Sequence, residues 1–473
     1  MVGLFYSRYI NNTSQFSNKF LIFGKQSLKK DTFMDHFTPW TLFVDIGIIS
    51  SLLLIGKLMR AKLKWVQKLF IPPSLLAGFI GLAFGPYGFD LLPLSTQTGT
   101  YAGILIAFIF GALPLTSQKA QGGNKEIGTM WVYSQAGMLL QWAFGGLLGL
   151  LLLNQIWPLS PGFGITMPSG FCGGHGTAAA IGQAFGQLGH DEILTLSMTA
   201  ATFGIVASVI LGLIFVKWGT QKKHTTFLAD YNDLPSELRT GLLPKNKRES
   251  MGESTCSSIS IDSLTFNLTI VCAIALCGYG ISKVAAHLMP GFELPVFSCA
   301  FVAGILIKKA LDRTRASESI CPQTVNHISG AMTDFLVAFG IASIKISVVI
   351  EYIVPLAILL LSGLAVTFIY VFVMARKLMK ECWFEKALFT WGWFTGTMAM
   401  GIALLRVVDP RMKSRCLDNY ALAYLFIAPV EISLITFAPV AFVNGYGLIF
   451  AGICLVAGLG VLAVAYFKKW FVR

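Results

Sequence analysis

Apolar windows of about 20 residues, the length that carries a helix across the hydrocarbon layer of a bilayer, recur along nearly the whole of this chain. They fall at 41–59, 70–88, 101–116, 128–153 and 193–217. After a polar stretch others follow at 262–288, 294–307, 330–347, 354–375, 420–443 and 446–467. Apolar residues make up 55% of the 473 and charged residues 12%, roughly half the charged share of a soluble domain. No single water-soluble core accommodates such a sequence. The chain reads as an all-α polytopic membrane protein surrounded by lipid.

The net charge of +13 would suggest a nucleic-acid partner in a soluble protein. Here its distribution gives a simpler source. Between 163 and 186, and again between 387 and 405, lie Gly-bearing segments. If neither crosses fully, one set of loops receives Arg60, Lys62, Lys64, Lys68, Lys119 and Lys125, then the basic residues of the central loop, and finally Arg411, Lys413, Arg415, Lys468 and Lys469. The opposite loops, around 89–100, 154–162, 187–192 and 444–446, hold no Lys or Arg. The positive-inside rule then places the central loop and the C-terminus in the cytoplasm of a bacterial inner membrane. Counting either Gly-bearing segment as a full crossing scrambles this pattern, so both are read as re-entrant.

The boundaries follow: a tail at 1–39, a first membrane repeat at 40–218, a cytoplasmic linker at 219–261, a second repeat at 262–443, and an extra C-terminal helix with a basic tail at 444–473. The tail carries Arg8, Lys19, Lys25, Lys29 and Lys30 on the side expected to be bare, which suggests that translation starts at Met34. The nine cysteines show no CxxC spacing and read as reduced, packed thiols rather than a disulfide frame or metal site.

A shift of about 222 positions lays the two halves over one another. Ile71-Pro72-Pro73-Ser74 falls on Glu293-Leu294-Pro295-Val296, Gly56 on Gly278, and Gly174 on Gly396. Five crossings per half is an odd number, so the second copy must be inverted relative to the first. Inverted repeats interrupted at matching positions point to the binding site of a secondary transporter. The alternative is that apolar helices resemble one another by composition alone.

The first interruption reads Ser169-Gly170-Phe171-Cys172-Gly173-Gly174-His175-Gly176-Thr177. Its glycines each disfavour a continuous helix by about 1 kcal/mol and let the backbone approach a ligand. Such irregular backbone is tolerated in a membrane only where it is buried in protein or lines a wet cavity. A helix resuming at Thr177 would offer free N–H groups and a positive dipole end to a carboxylate. Facing carbonyls suit Na+.

With its Gly-Gly-His-Gly-Thr centre, Ser169–Ala180 resembles the first re-entrant loop of the sodium:glutamate symporters. The resemblance extends to Ile71-Pro72 with Ala77-Gly78, to Ala201-Thr202-Phe203-Gly204, and to Phe292-Glu293-Leu294-Pro295 with Val302-Ala303-Gly304. It implies two inverted five-helix repeats with two re-entrant hairpins, sodium-driven import of glutamate by an elevator-like movement, and a homodimer. The second segment, Trp391–Gly401, is bulkier than that pattern, and Asp334 and Glu431 stand in apolar crossings.

The candidate substrate- and ion-binding residues are Ser169, Gly173, Gly174, His175, Gly176 and Thr177 from the first segment, Thr395, Gly396, Thr397 and Arg406 from the second, and Glu431. His175 either bonds a substrate carboxylate and moves a proton or braces the loop. Arg406 either clamps a carboxylate or belongs to the basic loop with Arg411. Glu431, mid-crossing, either ligates an ion or carries a proton, or else is a protonated structural side chain. The threonine hydroxyls either ligate or bond their own helix. The function implied is sodium-coupled symport of glutamate or a close dicarboxylate, with Na+ as the coupling ion and no cofactor. The rival readings are a proton-coupled or citrate-like carrier, and less readily a cation exchanger or channel. No HExxH, paired-Asp or GxSxG pattern of an intramembrane enzyme is present.

Overall fold

Proline and glycine punctuation divides the apolar sequence into helices. A computed structural model describes residues 37–68, 71–116, 124–227, 240–248, 250–257, 259–288, 294–314, 316–409 and 413–471. The proposed start at Met34 and Glu293 lie outside these. By internal contacts the chain separates into Met1–Ile48 and Ile49–Arg473. The described part of the first unit is the beginning of helix α1 (Pro39–Lys62), where Thr38 and Thr41 exchange side-chain and backbone hydrogen bonds.

In the second unit the first half supplies α2 (Pro73–Phe84), α3 (Thr98–Thr116), α4 (Asn124–Leu148), α5 (Thr166–Phe171), α6 (Gly174–Gln187) and α7 (Glu192–Gln221). The second half supplies α8 (Ser263–Leu288), α9 (Val296–Thr314), α10 (Pro322–Ala342), α11 (Ile353–Leu378), α12 (Trp383–Thr395), α13 (Met398–Val408), α14 (Cys416–Val443) and α15 (Gly447–Phe467). Among the described residues no strand occurs, and nine helices are long and apolar enough to span a bilayer: α1, α3, α4, α7, α8, α10, α11, α14 and α15. The protein is a multi-pass, all-helical membrane protein.

Three expected crossings take a different form. The window at 70–88 yields only the 12 residues of α2, about 18 Å of helix. Proline at its first position needs no intrahelical partner, and Gly85 closes it by donating to the Gly81 carbonyl at 2.8 Å. Helix α9 extends past its apolar stretch into Lys308, Lys309 and Arg313. The window at 330–347 forms the end of a helix that starts earlier, at Pro322.

Helix α7 is the central support. It packs against α5, α6, α12 and α13, while α15 lies along α4, and α3 contacts α9 and α10. Helix α4 runs on through a π-helical turn at Gly149–Leu153. There a Cβ on Gly149 would fall 2.6 Å from the Gly164 Cα, so the turn admits the segment leading into α5. Large buried side chains, including Trp142, Phe171, Trp391, Phe394 and Tyr420, share one core. All nine cysteines are free thiols.

The central stretch, read as a linker, docks where it is described. The Glu385 carboxylate accepts from the Thr226 amide, Lys57 Nζ donates to the Gly241 carbonyl at 2.7 Å, and the Glu253 amide donates to Cys321 Sγ at 3.3 Å.

Candidate functional site: two facing helix breaks

Both Gly-bearing segments break, and after the first the helix resumes at Gly174, three residues before the expected Thr177. Helix α5 ends at Phe171, Cys172 is extended, and Gly173 has φ +103° before α6 begins at Gly174 with φ +63°. A side chain at either glycine would meet the steric penalty of the left-handed region. No side chain caps α6, so its first amides keep their donors free within the helix. In the second segment α12 ends at Thr395, Gly396 and Thr397 depart from helical geometry, and α13 follows. Thr397 caps α13, its hydroxyl oxygen accepting from the Met400 amide at 3.3 Å.

These breaks, separated by about 222 positions, touch. A Cβ on Gly174 would fall 2.6 Å from Thr397 Cγ2 and 2.7 Å from the Gly396 carbonyl oxygen. On the other side, a Cβ on Gly173 would sit 3.3 Å from Glu431 Oε1. Glu431, buried on α14, accepts through Oε2 from the Tyr424 hydroxyl at 3.0 Å. The N-terminus of one helix, the C-terminal carbonyls of another, and a carboxylate therefore share one junction.

His175 is fully buried in the first turn of α6, with Nε2 3.0 Å from Thr202 Oγ1 on α7. Its Nδ1 has no hydrogen-bond partner. Neither has the hydroxyl of Tyr420, a residue on the Tyr424 face of α14 whose ring packs against Phe389, Trp393 and Tyr424. A buried polar atom without a partner costs about 1–3 kcal/mol, and such atoms beside a broken helix are suited to receive a ligand.

The other sequence-derived candidates divide. Thr177 is buried with its Oγ1 turned back toward Gly173, and Gly176 follows His175 in the same turn. Ser169 spends its hydroxyl within the protein, on the Thr166 carbonyl at 2.9 Å and Ser197 at 3.3 Å. Thr395 donates to the Trp391 carbonyl at 2.7 Å. Arg406 is exposed in the last turn of α13, about 13 Å of helix beyond Thr397 at 1.5 Å per residue, and is not brought to the junction. Asp334 is likewise exposed, on α10. Two residues escaped sequence reasoning. Gln141, in α4, donates to the Phe394 carbonyl at 2.9 Å and to Thr367 Oγ1 at 2.7 Å, holding the end of α12. Tyr420 is the other. A glutamine inside an apolar crossing was the available signal for the first, shared with Gln135 of the same helix; nothing distinguished Tyr420 from the many other aromatics.

Among the described residues no group of three or more His, Cys, Asp or Glu side chains could hold a metal. The hard oxygens at the junction include the Gly396 carbonyl, the Glu431 carboxylate and the Thr177 hydroxyl, donors appropriate to an alkali cation carried as cargo.

The family model of the sodium/glutamate symporters matches residues 41–401, about three-quarters of the chain. The chain belongs to the sodium/glutamate symporter family.

The family match takes in α5, α6 and α12 and reaches Gly401, so both breaks lie within it. Tyr420, Tyr424 and Glu431 lie beyond it, as does α15. The symporter family is one of transporters, and the membrane, symport, sodium and glutamate character read from the sequence agrees with it. No curated protein matches the chain. Among solved structures, the sodium proton antiporter MjNhaP1 from Methanocaldococcus jannaschii is similar at 16% identity, covering 88% of this chain and 99% of that one with a TM-score of 0.39. A likeness that loose carries no argument about mechanism.

Proposed function

We propose that this member of the sodium/glutamate symporter family imports glutamate, or a closely related dicarboxylate, with Na+, at the junction of the two helix breaks. The observation that carries the reading is the contact of Gly174 with Gly396 and Thr397. It joins free amides and the positive end of α6, which favour a substrate carboxylate, to carbonyls at the end of α12, which favour a cation. The Nδ1 of His175 and the Tyr420 hydroxyl are the uncommitted polar atoms that a substrate would satisfy.

Charge supplies the coupling. Glutamate carries a net negative charge, and an ionised Glu431 beside Gly173 repels it at short range in a medium of low dielectric. A sodium ion held between Glu431 and the Gly396 carbonyl cancels that repulsion, so substrate binds well only with its ion. The family membership supports Na+ as this ion. Burial of Glu431 in mid-helix is the observation behind a second reading, in which the residue takes up a proton and the carrier is proton-coupled or citrate-like.

In this proposal 163–186 and 387–405 are re-entrant hairpins entering from opposite faces of an inverted repeat comprising 40–218 and 262–443. The extra helix at 444–473, a cytoplasmic central stretch at 219–261, an inner-membrane location and a homodimer complete it. The corresponding glycines support the repeat, for a Cβ on Gly56 would meet the Pro73 carbonyl oxygen at 2.5 Å, and one on Gly278 would meet the backbone at Ala300. Each glycine lets the first helix of its half lie close on the second.

Counterflow into proteoliposomes with labelled glutamate, aspartate and citrate, each in Na+ and in choline, tests the function. Glutamate exchange that requires Na+ is the expected result. Equal exchange in choline, or exchange of citrate alone, overturns it. Cysteine labelling from either side at residues 163–186 tests the hairpin, which fails if the segment joins opposite faces as an ordinary spanning helix.

A further inference from the structure

Away from the junction, a cavity of about 870 Å³ opens where the N-terminal ends of α4 and α12 meet the C-terminal ends of α11 and α15. Among the described residues, Lys125, Lys380, Lys386 and Lys469 line it with two carboxylates, Glu126 and Glu381. Glu126 is engaged elsewhere, accepting from Asn419 Nδ2 at 3.0 Å. Lys125, Lys380 and Lys469 are exposed and form the rim, whereas Lys386 is only 6% exposed.

Lys386 makes no ion pair or side-chain hydrogen bond among the described residues. The buried acids of this region have other partners. Asp409 accepts from the amides of Lys413 and Ser414 at 2.9 and 2.7 Å, and Glu385 accepts from the Thr226 amide. With no carboxylate in direct contact, a secluded ammonium gains from an anion that joins it. The neighbouring aromatics fix the depth of the cavity. Trp470 is seated on Gly128, where a Cβ would fall 2.5 Å from its ring, and Tyr466 and Phe471 also line the wall. Aromatic residues just beyond an apolar helix end belong at the level of lipid headgroups, and basic pockets between membrane helices at that level take phosphorylated headgroups.

We propose that this cavity is a phosphate-binding site, with Lys386 at its floor and Lys125, Lys380 and Lys469 around its rim. The ligand is a phosphate ester, either the headgroup of an anionic lipid or a free phosphate, held by compact ammonium charges that make no demand for planar geometry. By bridging Lys469 after α15 to Lys386 in α12, it ties the helix outside the family match to one of the broken elements.

The test is thermal unfolding of the purified full chain in nonionic detergent, followed by tryptophan fluorescence, with phosphatidylglycerol, phosphatidylcholine or inorganic phosphate added. Phosphatidylglycerol, inorganic phosphate or both should raise the midpoint by several degrees, since a ligand bound only by the folded state stabilises it. A shift with the lipid alone identifies a headgroup ligand, and a shift with phosphate alone a soluble one. The exposed pair K125Q/K469Q, which does not disturb the core, should raise the ligand concentration needed for a given shift about tenfold, and K386Q should abolish the shift. No shift with either anion, an equal shift with phosphatidylcholine, or an undiminished response in K125Q/K469Q overturns the proposal. Should K386Q not fold, the exposed pair alone decides.

Discussion

Nε2 of His175 lies 3.0 Å from Oγ1 of Thr202, and the Thr202 hydroxyl donates its own proton to the Met198 carbonyl at 2.9 Å. Thr202 can therefore only accept from the ring, and a neutral His175 must carry its proton on Nε2. Nδ1 is left as a buried lone pair without a partner, fixed in direction by a residue on another helix.

That geometry makes His175 an acceptor for a donor on the ligand, such as the glutamate ammonium. His175→Ala should lower Na+-driven glutamate uptake about tenfold, the value of one charge-assisted hydrogen bond, with membrane insertion unchanged. Thr202→Val should lower uptake less, because the ring keeps Nδ1 but loses its orienting partner. Uptake in proteoliposomes, normalised to inserted protein, is the measurement. Wild-type rates for both variants would remove His175 from the site.

Contact between the breaks predicts coupling between two substitutions about 222 positions apart. Gly174→Ala places a methyl group 2.6 Å from Thr397 Cγ2 in a backbone conformation with φ +63°. It should cost about 1–3 kcal/mol of stability and most of the transport. Thr397→Ser removes that Cγ2 but retains the cap on Met400, so the double variant should recover part of the loss. The Gly396 carbonyl at 2.7 Å keeps the recovery incomplete. A double-mutant cycle of unfolding midpoints measures this, and strictly additive effects would show that the two positions do not touch.

Gln141 supports α12 from outside both breaks. Gln141→Leu leaves the Phe394 carbonyl and Thr367 hydroxyl without their shared donor, a loss of about 1–3 kcal/mol for buried polar groups. The unfolding midpoint should fall, and uptake should fall with it because the end of α12 is no longer held. An unchanged midpoint would mean that water or another side chain replaces the amide.

How much of this was legible in the sequence depends on the range of the interaction. The breaks at Gly173 and Gly396 were visible because glycine acts on the local backbone, and the left-handed φ values of Gly173 and Gly174 are of a kind few other residues adopt. The apolar windows located most of the helices, since hydropathy is also a local property. The short α2 was not foreseen, because Gly85 closes the helix inside the window that hydropathy sets at 70–88. The pairing of Gly174 with Thr397, the hold of Gln141 on Phe394 and the placement of Tyr420 depend on which helices become neighbours. No spacing within one segment encodes that. Arg406 shows the same limit from the other side: close to the break along the chain, it is carried away from the junction by the rise of α13.

Glu431 offers the sharpest distinction between the two coupling ions. Its Oε1 approaches Gly173 while Oε2 holds the Tyr424 hydroxyl, so one oxygen is tied to the protein and the other is turned toward the junction. Glu431→Gln keeps the side-chain volume and an acceptor oxygen but removes the charge. If the carboxylate ligates Na+, the sodium concentration for half-maximal glutamate uptake should rise about tenfold or more, with a smaller change in the rate at saturating sodium. Tyr424→Phe keeps the charge and loses only the donor, so its shift should be smaller. A proton carrier behaves differently, because Glu431→Gln would then eliminate uptake driven by a pH gradient while leaving the sodium dependence of the remaining flux unaltered. Titrating uptake with Na+ at fixed pH, and again with an imposed pH gradient in choline, separates these outcomes. A glutamine variant with wild-type behaviour in both titrations would place the coupling ion elsewhere.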